Sequence, residues 1–194
     1  MNLGYMYYYG EGVDTNYGEA IKWFTKSAEQ GNANAQFELG YMYCNGQGVE
    51  QNYVESFKWY TLAAEQGNAY AQYNLGVMYG NGHGVEQSYV EAFKLYKLAA
   101  EQGHSNAQFN LGVMYGNGLG VDSNYVESIK WYKLAAEQGD ANAQFSLGLM
   151  YYDGLGIDQN YVEAIKWYKL AAAQGHTDAQ NNLERMNKND QGVK

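Results

Sequence analysis

The sequence repeats itself every 36 residues. The dipeptide Ala-Gln begins at Ala35 and returns at this spacing up to Ala179, and Leu-Gly does the same from Leu3 to Leu147. Met-Tyr and Gln-Gly keep the same register, and no insertion breaks the count. A constant period of this length indicates a repeat protein, in which each unit buries its apolar face against its neighbours.

Each repeat has the pattern of two helices. In the second repeat, Ala35, Leu39 and Met42 fall at i, i+4 and i+7, which predicts one apolar face of a first helix. Gly46 follows this helix, where a left-handed C-cap favours a residue without Cβ. A second helix is predicted to begin after Asn52, because Glu55 three residues later completes a capping-box pattern.

Two further positions of the repeat have predicted packing roles. The glycine of Leu-Gly is expected to let neighbouring helices approach closely. All four tryptophans share one position, that of Trp59, and are expected to fill the gap between helices. On this basis Trp131→Ala should severely destabilise the array.

These motifs resemble the SEL-one-like repeat (SLR) family, a relative of the tetratricopeptide repeats, from about Asn2 to Met186. The shared pattern is Ala…Leu-Gly-x-Met-Tyr…Gly-x-Gly-Val…Lys-Trp-Tyr…Ala-Ala…Gly. The resemblance implies an all-α, right-handed superhelix whose concave face, formed by the first helix of each repeat, binds proteins or peptides. Some exported bacterial relatives have paired cysteines, and this chain has Cys44 alone.

The repeat boundaries predict a single solenoid over 1–187, ending in a capping helix, with a frayed polar tail at 188–194. The expected repeats are about 1–31 (truncated), 32–67, 68–103, 104–139 and 140–175, and the capping helix is 176–187. Met1 aligns with Phe37, so either this is a fragment of a longer array or the first repeat is natively truncated. A truncated first helix would expose the apolar residues Leu3, Met6 and Tyr7, and a second copy could cover them and form a homodimer.

Residues with catalytic or metal-binding potential are scattered. The histidines lie in different repeats, whereas metal sites need clustered ligands. His104 and His176 precede Ser105 and Thr177, which we expect to cap the next helices. The Gly-x-Gly loops join two helices and carry acids, unlike a phosphate cradle. Cys44 has no histidine or acid partner in sequence, so we predict no enzyme activity, no metal and no cofactor.

The net charge is −9, from 12 basic and 21 acidic side chains. Such a chain repels nucleic acid and attracts basic partners. No apolar run reaches the roughly 18 to 20 residues that a membrane-spanning helix needs, so no membrane insertion is predicted. The expected protein is soluble, in the bacterial cytoplasm or exported to the periplasm or medium if a leader has been removed.

The framework positions are fixed by packing, so positions that differ between repeats are the candidates for partner recognition. The resemblance implies that those of the first helices line the concave face. They combine a row of aromatic residues with amides, which suits the capture of a protein or peptide. The alternative for the aromatic residues is ordinary packing between helices. The candidates are Asn34, Phe37, Glu38, Tyr41, Tyr70, Tyr73, Asn74, Val77, Asn106, Phe109, Asn110, Val113, Asn142, Phe145, Ser146, Leu149 and Tyr152.

The sequence therefore predicts a non-catalytic scaffold or adaptor that binds a protein or peptide, with a preference for basic partners. One alternative is an immunity or inhibitor protein that neutralises a basic bacterial toxin. A cell-wall or β-lactam hydrolase is a further alternative, although the sequence offers no nucleophile and base for it. A spacer within a larger assembly is the fourth.

Overall fold

The computed structural model describes residues 3–188, and all regular secondary structure in this range is helical. The predicted all-α class of tandem helix pairs is therefore confirmed. The helices are α1 (Leu3–Tyr9), α2 (Tyr17–Ala28), α3 (Ala33–Asn45), α4 (Tyr53–Glu65), α5 (Ala69–Asn81), α6 (Tyr89–Glu101), α7 (Ser105–Asn117), α8 (Tyr125–Glu137), α9 (Ala141–Asp153), α10 (Tyr161–Ala173) and α11 (Thr177–Lys188).

The chain forms two compact units. Unit 1 ends at Gln102 and contains α1 to α6, and unit 2 begins at Gly103 and contains α7 to α11. Within each unit, consecutive helices pack against each other. The assignment of 1–187 to a single solenoid stays a prediction.

Each second helix begins at a residue that also ties it to the first helix of its pair. The Oδ1 atom of Asn52 accepts a hydrogen bond from the Glu55 N–H at 3.1 Å, and the Asn52 N–H donates to the Tyr43 carbonyl at 2.9 Å. The glutamate does not complete a full capping box, because the Asn52 N–H already donates to Tyr43, and Glu55 pairs with Lys58. The other four pairs repeat the cap and the link to the first helix.

The Leu-Gly motif accommodates an aromatic ring between the helices of each pair, which is Phe24 in the first pair and a tyrosine in the other four. A Cβ placed on Gly40 would lie 2.5 Å from the ring of Tyr60, and Gly112 has the same relation to Tyr132 at 2.6 Å. The predicted role of this glycine is therefore confirmed. The deeply buried aromatic side chain is the tyrosine, however, and the preceding tryptophan is only half-buried.

The Ala-Gln motif has a structural role that the sequence did not reveal. The Gln36 side-chain amide donates to the carbonyl of Ala28 at 3.1 Å, while its Oε1 atom accepts from Gln66 at 2.7 Å. Gln144 does the same in unit 2 with Ala136 and Gln174. These buried amides satisfy backbone carbonyls at the ends of the second helices and join successive pairs.

The Gly-x-Gly loops are explained by the turn between the helices. Gly46 ends α3 in the left-handed conformation, with φ of 68°, and its N–H donates to Met42. Gly48 packs on the start of the preceding second helix, where a Cβ would lie 2.7 Å from the backbone carbon of Tyr17. The glycines thus serve helix termination and close packing.

The last helix, α11, closes unit 2. Ala179 and Met186 are buried and Leu183 packs against the same cluster, while Glu184 and Arg185 face the surface. The capping helix predicted at 176–187 is α11, which begins at Thr177 and extends through Lys188, the first position of the predicted tail. Positions 189–194 of the predicted tail lie outside the described residues. None of the described helices has the length and apolar character that crossing a membrane requires.

Candidate partner-binding faces

The predicted recognition residues all lie on the first helices α3, α5, α7 and α9, and none of them is fully buried. We call them the first-helix faces. The face of unit 1 comprises Asn34, Phe37, Glu38, Tyr41, Tyr70, Tyr73, Asn74 and Val77. The face of unit 2 comprises Asn106, Phe109, Asn110, Val113, Asn142, Phe145, Ser146, Leu149 and Tyr152. The buried side of the same helices is formed by the Ala-Gln, Leu-Gly and Met positions.

The aromatic residues of these faces are fixed by contact with the second helix of their pair. Each ring is half-buried and packs on the buried tyrosine of the second helix. Packing on the core and a role in recognition are therefore compatible, because each ring remains partly exposed. The pairs, with ring centroids 5.7 to 5.8 Å apart, are Phe37–Tyr60, Tyr73–Tyr96, Phe109–Tyr132 and Phe145–Tyr168.

The face of unit 1 contains a half-buried carboxylate. The hydroxyl of Tyr5 donates to Glu38 Oε1 at 3.0 Å. Burial raises the pKa of Glu38, and the hydrogen bond from Tyr5 opposes this shift only in part. The equivalent residues of the later repeats are Asn74, Asn110 and Ser146, so the negative charge is specific to the second repeat.

Unit 2 contains a cleft that sequence reasoning did not find. It has a volume of about 250 Å³ and is lined by the predicted residues Ser146 and Leu149, together with Gly116, Tyr125 and Asp153. Variation between repeats was the available signal. Position 116 is glycine here, but its equivalents in the first, second and fifth repeats are tyrosine, cysteine and tyrosine.

The second helices also present an exposed apolar stripe that the sequence analysis did not single out. One valine and one leucine recur eight residues apart, and each is 42 to 62% exposed. Their recurrence in the second to fifth repeats was visible in the sequence. The stripe comprises Val54, Leu62, Val90, Leu98, Val126, Leu134, Val162 and Leu170.

Two of the histidines cap helices, and the cysteine is partly buried. His104 and His176 are themselves the caps, accepting from Ala107 N–H at 3.3 Å and Ala179 N–H at 3.4 Å. The expectation that Ser105 and Thr177 are the caps is wrong, because both residues already lie inside the helices. Burial raises the pKa of the Cys44 thiol, which disfavours the reactive thiolate. No group of metal-ligating side chains is found within residues 3–188.

The helix pairs and their shared framework define an all-α tandem-repeat protein. The chain belongs to the Sel1 repeat family, whose model matches residues 1–32, 33–68, 69–104, 105–140 and 141–176. The resemblance predicted from the sequence is thereby confirmed. Sel1 repeats are scaffolds typical of protein–protein interaction and are generally non-catalytic.

Solved structures share this fold over nearly the whole chain. A protective antigen of uropathogenic Escherichia coli with an SLR fold is 42% identical, with a TM-score of 0.91, over 95% of this chain. This chain spans only 39% of the length of that antigen. A Sel1 repeat protein from Oxalobacter formigenes is 39% identical, with a TM-score of 0.88, over 100% of this chain and 77% of its own.

More distant structures share the fold alone. An immunity protein from Pseudomonas aeruginosa is 22% identical with a TM-score of 0.57, over 92% of this chain and 69% of its own. A comparison with curated protein sequences gives no match.

Proposed function

We propose that this chain is a non-catalytic scaffold that binds a protein or peptide through the first-helix faces of its units. The observation that carries the proposal is the two half-buried rings in each unit, each packed on a buried tyrosine: Phe37 and Tyr73 in unit 1, and Phe109 and Phe145 in unit 2. Rings that are already fixed lose little conformational entropy on binding, so their contact area contributes more fully to affinity.

The amides beside the rings supply the polar part of such an interface. Asn34, Asn106 and Asn142 are exposed, and Asn110 is half-buried next to Phe109. Amide side chains can both donate to and accept from the backbone of an extended peptide. A face of fixed aromatic residues with neighbouring amides therefore suits a peptide segment or a protein loop.

The partner is expected to be basic. The net charge of −9 draws cationic proteins towards the chain, and Glu38 adds a carboxylate within the face of unit 1. The association rate should fall with rising ionic strength, because screening removes this long-range attraction.

The proposal can be tested without knowing the natural partner. A random peptide library displayed on phage is selected against the purified chain, and the affinities of the selected peptides are measured by fluorescence anisotropy. The Phe109→Ala/Asn110→Ala variant is expected to weaken at least one class of peptide about tenfold or more, the equivalent of about 1.4 kcal/mol.

The control variant Val126→Ala/Leu134→Ala removes apolar area from the exposed stripe of α8 instead. It should leave the same affinities unchanged, and circular dichroism verifies that both variants are folded. Peptides that bind the first-helix variant normally and fail to bind the control would place recognition on the second helices and contradict the proposal.

An inhibitor of a basic toxin is a special case of the same function, and the net charge favours it. In that case the partner is itself an enzyme, and binding covers its active site. An activity assay of a captured basic partner distinguishes the two: an adaptor leaves its activity intact, and an inhibitor abolishes it at a one-to-one ratio.

A further inference from the structure

The cleft of unit 2 lies where the ends of two first helices meet the start of a second helix. Its lining includes Gly116 in the last turn of α7, Tyr125 at the start of α8, and Leu149 and Asp153 on α9. Leu155, in the loop after α9, completes the apolar part. The cleft is open to solvent and adjoins the first-helix face of unit 2, with which it shares Ser146 and Leu149.

Gly116 lines the cleft, and its backbone conformation does not require a glycine. Its φ is not positive, so an alanine could adopt the same backbone, and a glycine destabilises a helix relative to alanine. Gly80 shares this feature, whereas the equivalent residues are Tyr8, Cys44 and Tyr152 in the other repeats. Three repeats thus have a residue with a side chain at this position, whereas α5 and α7 have a glycine.

In unit 1, larger or stacked side chains occupy the positions that correspond to the lining of this cleft. Cys44 stands where Gly116 stands in unit 2, and it packs against the core cluster of its pair. His83 replaces Leu155 and stacks on Tyr53, with ring centroids 4.7 Å apart. The repeat framework therefore does not require a cleft here.

Asp153 is also unusual for its position. The equivalent residues Asn45 and Asn117 each donate a side-chain hydrogen bond to the carbonyl four residues earlier, at 2.8 and 3.0 Å. A carboxylate cannot donate this bond. It also lies at the negative end of the α9 dipole, where an acid is electrostatically unfavourable.

No residue within 3–188 forms an ion pair with Asp153, although Arg185 is on a neighbouring helix. The guanidinium of Arg185 lies instead over the ring of Tyr152, 5.5 Å from its centroid. The carboxylate of Asp153 is exposed at the rim of the cleft, and the ends of α7 and α9 add their partial negative charge.

The carboxylate at the rim favours a positively charged group, and the apolar lining favours a hydrocarbon chain that carries it. We propose that the cleft receives a lysine or arginine side chain of the partner protein, with the charged group at Asp153 and the methylene stem along Tyr125, Leu149 and Leu155. Long basic side chains bury their stems on apolar surface in this way, and the tyrosine ring can add a cation–π contact. The inference rests on the proposed function, because it assigns one contact of that interface.

The test uses nuclear magnetic resonance titrations of the isotope-labelled chain with N-acetyl-arginine amide, and with N-acetyl-norleucine amide as the neutral probe. The arginine derivative should give saturable shifts concentrated at Gly116, Asp153 and Leu155. Asp153→Asn should weaken its binding about fivefold, the upper range for a partly exposed ion pair. Asp158→Asn, which removes the same charge outside the cleft, should have no effect.

A second variant fills the cleft without changing its charge. Gly116→Cys introduces the residue that unit 1 carries at Cys44, opposite Ser56 as Gly116 is opposite Ser128. It should abolish the shifts while the protein stays folded. Equal binding of the norleucine derivative, equal loss with Asp158→Asn, or no saturable shift at Gly116 and Asp153 would each overturn the inference.

The selected peptides separate this inference from the proposed function. If Phe109→Ala/Asn110→Ala weakens their binding and both Asp153→Asn and Gly116→Cys leave it unchanged, the cleft inference fails and the proposed function stands. If all of these variants bind normally, both fail. Weaker binding with each of them, with no loss from Asp153→Asn when the peptide's arginine or lysine is already replaced, supports both.

Discussion

Two equivalent helix pairs, one in each unit, share their interior and differ at their surface. Within the second pair, α3 and α4, Tyr60 packs on a glycine and Gln66 donates to Gln36 at 2.7 Å. Within the fourth pair, α7 and α8, Tyr132 and the Gln138–Gln108 bond repeat this arrangement with the same distance. Both pairs have the same residues at these positions, because each buried ring must pack against its glycine and each buried amide must form its hydrogen bonds.

The surface around the same helix pairs shows no such constraint. Unit 1 carries Cys44, the stacked His83 and the charged Glu38, whereas unit 2 has Gly116, Leu155 and an open cleft. The comparison teaches that differences between repeats lie where a partner could make contact. The following predictions test either the shared interior or the differing surface.

The largest expected effect is on the shared interior. Tyr132→Ala and Tyr60→Ala should each destabilise the chain by about 3 to 5 kcal/mol, because a buried ring is replaced by a cavity. Urea denaturation followed by circular dichroism measures both. Trp131→Ala should cost less than Tyr132→Ala, since its ring is only half-buried. The reverse order would contradict the assignment of the tyrosine as the central buried side chain.

Substitution of two glycines one turn apart in α5 distinguishes a position in the interior from one near the surface. Gly76→Ala should cost about 1 to 3 kcal/mol, because its Cβ would lie 2.8 Å from the Tyr96 ring. Gly80→Ala should stabilise by about 0.5 to 1 kcal/mol, since its Cβ would have ordinary contacts at 4.0 Å and alanine favours the helix. Thermal unfolding of the two variants should shift in opposite directions. Shifts of the same sign would refute the distinction.

The helix caps differ in their response to pH. Unit 1 uses Asn32 and Asn68 where unit 2 uses His104. Burial lowers the pKa of His104, so the folded chain binds fewer protons than the unfolded chain and stability should fall as pH drops below about 6.5. Protonation also removes the Nδ1 acceptor, a loss of up to about 1 kcal/mol.

His104→Asn should remove this part of the pH dependence, because asparagine caps the equivalent helices of unit 1. Melting temperatures between pH 7.5 and 5.0 give the comparison, with His83→Asn as the control for a histidine outside the caps. An unchanged pH slope in His104→Asn would show that the cap does not titrate in this range.

The smallest expected effect concerns Glu38. Burial raises its pKa, which means that the charged form is disfavoured in the folded chain. Glu38→Gln should therefore stabilise the chain at pH 8, and the gain should vanish below the ordinary pKa of glutamate. The gain should not exceed about 0.5 kcal/mol, because the carboxylate is partly exposed to water. Lower stability of the variant at pH 8 would mean that the bond from Tyr5 outweighs burial.

The sequence predicted most of the fold, because its signals were local and repeated. The cap at Asn52, the C-cap at Gly46 and the close approach at Gly40 each depend on residues within one repeat. The buried role of Tyr60 was missed in favour of Trp59. Two adjacent aromatic residues on a helix point in different directions, and composition alone does not tell which one faces the glycine.

The candidate faces were predictable as positions, but their chemistry was not. The sequence identified Ser146 and Leu149, yet the cleft also needs Gly116 from another helix and Asp153 at a helix end. Such a feature arises from an absent side chain and from contacts between repeats. Comparing position 116 across the repeats would have indicated it.

The most direct test is the footprint of a selected peptide on the isotope-labelled chain, measured from amide chemical-shift changes. The account predicts that the changes concentrate on α3, α5, α7 and α9, at or next to the first-helix faces, and include Phe109 and Asn110. A footprint centred on the exposed valines and leucines of α4, α6, α8 and α10, with α7 and α9 unaffected, would contradict it.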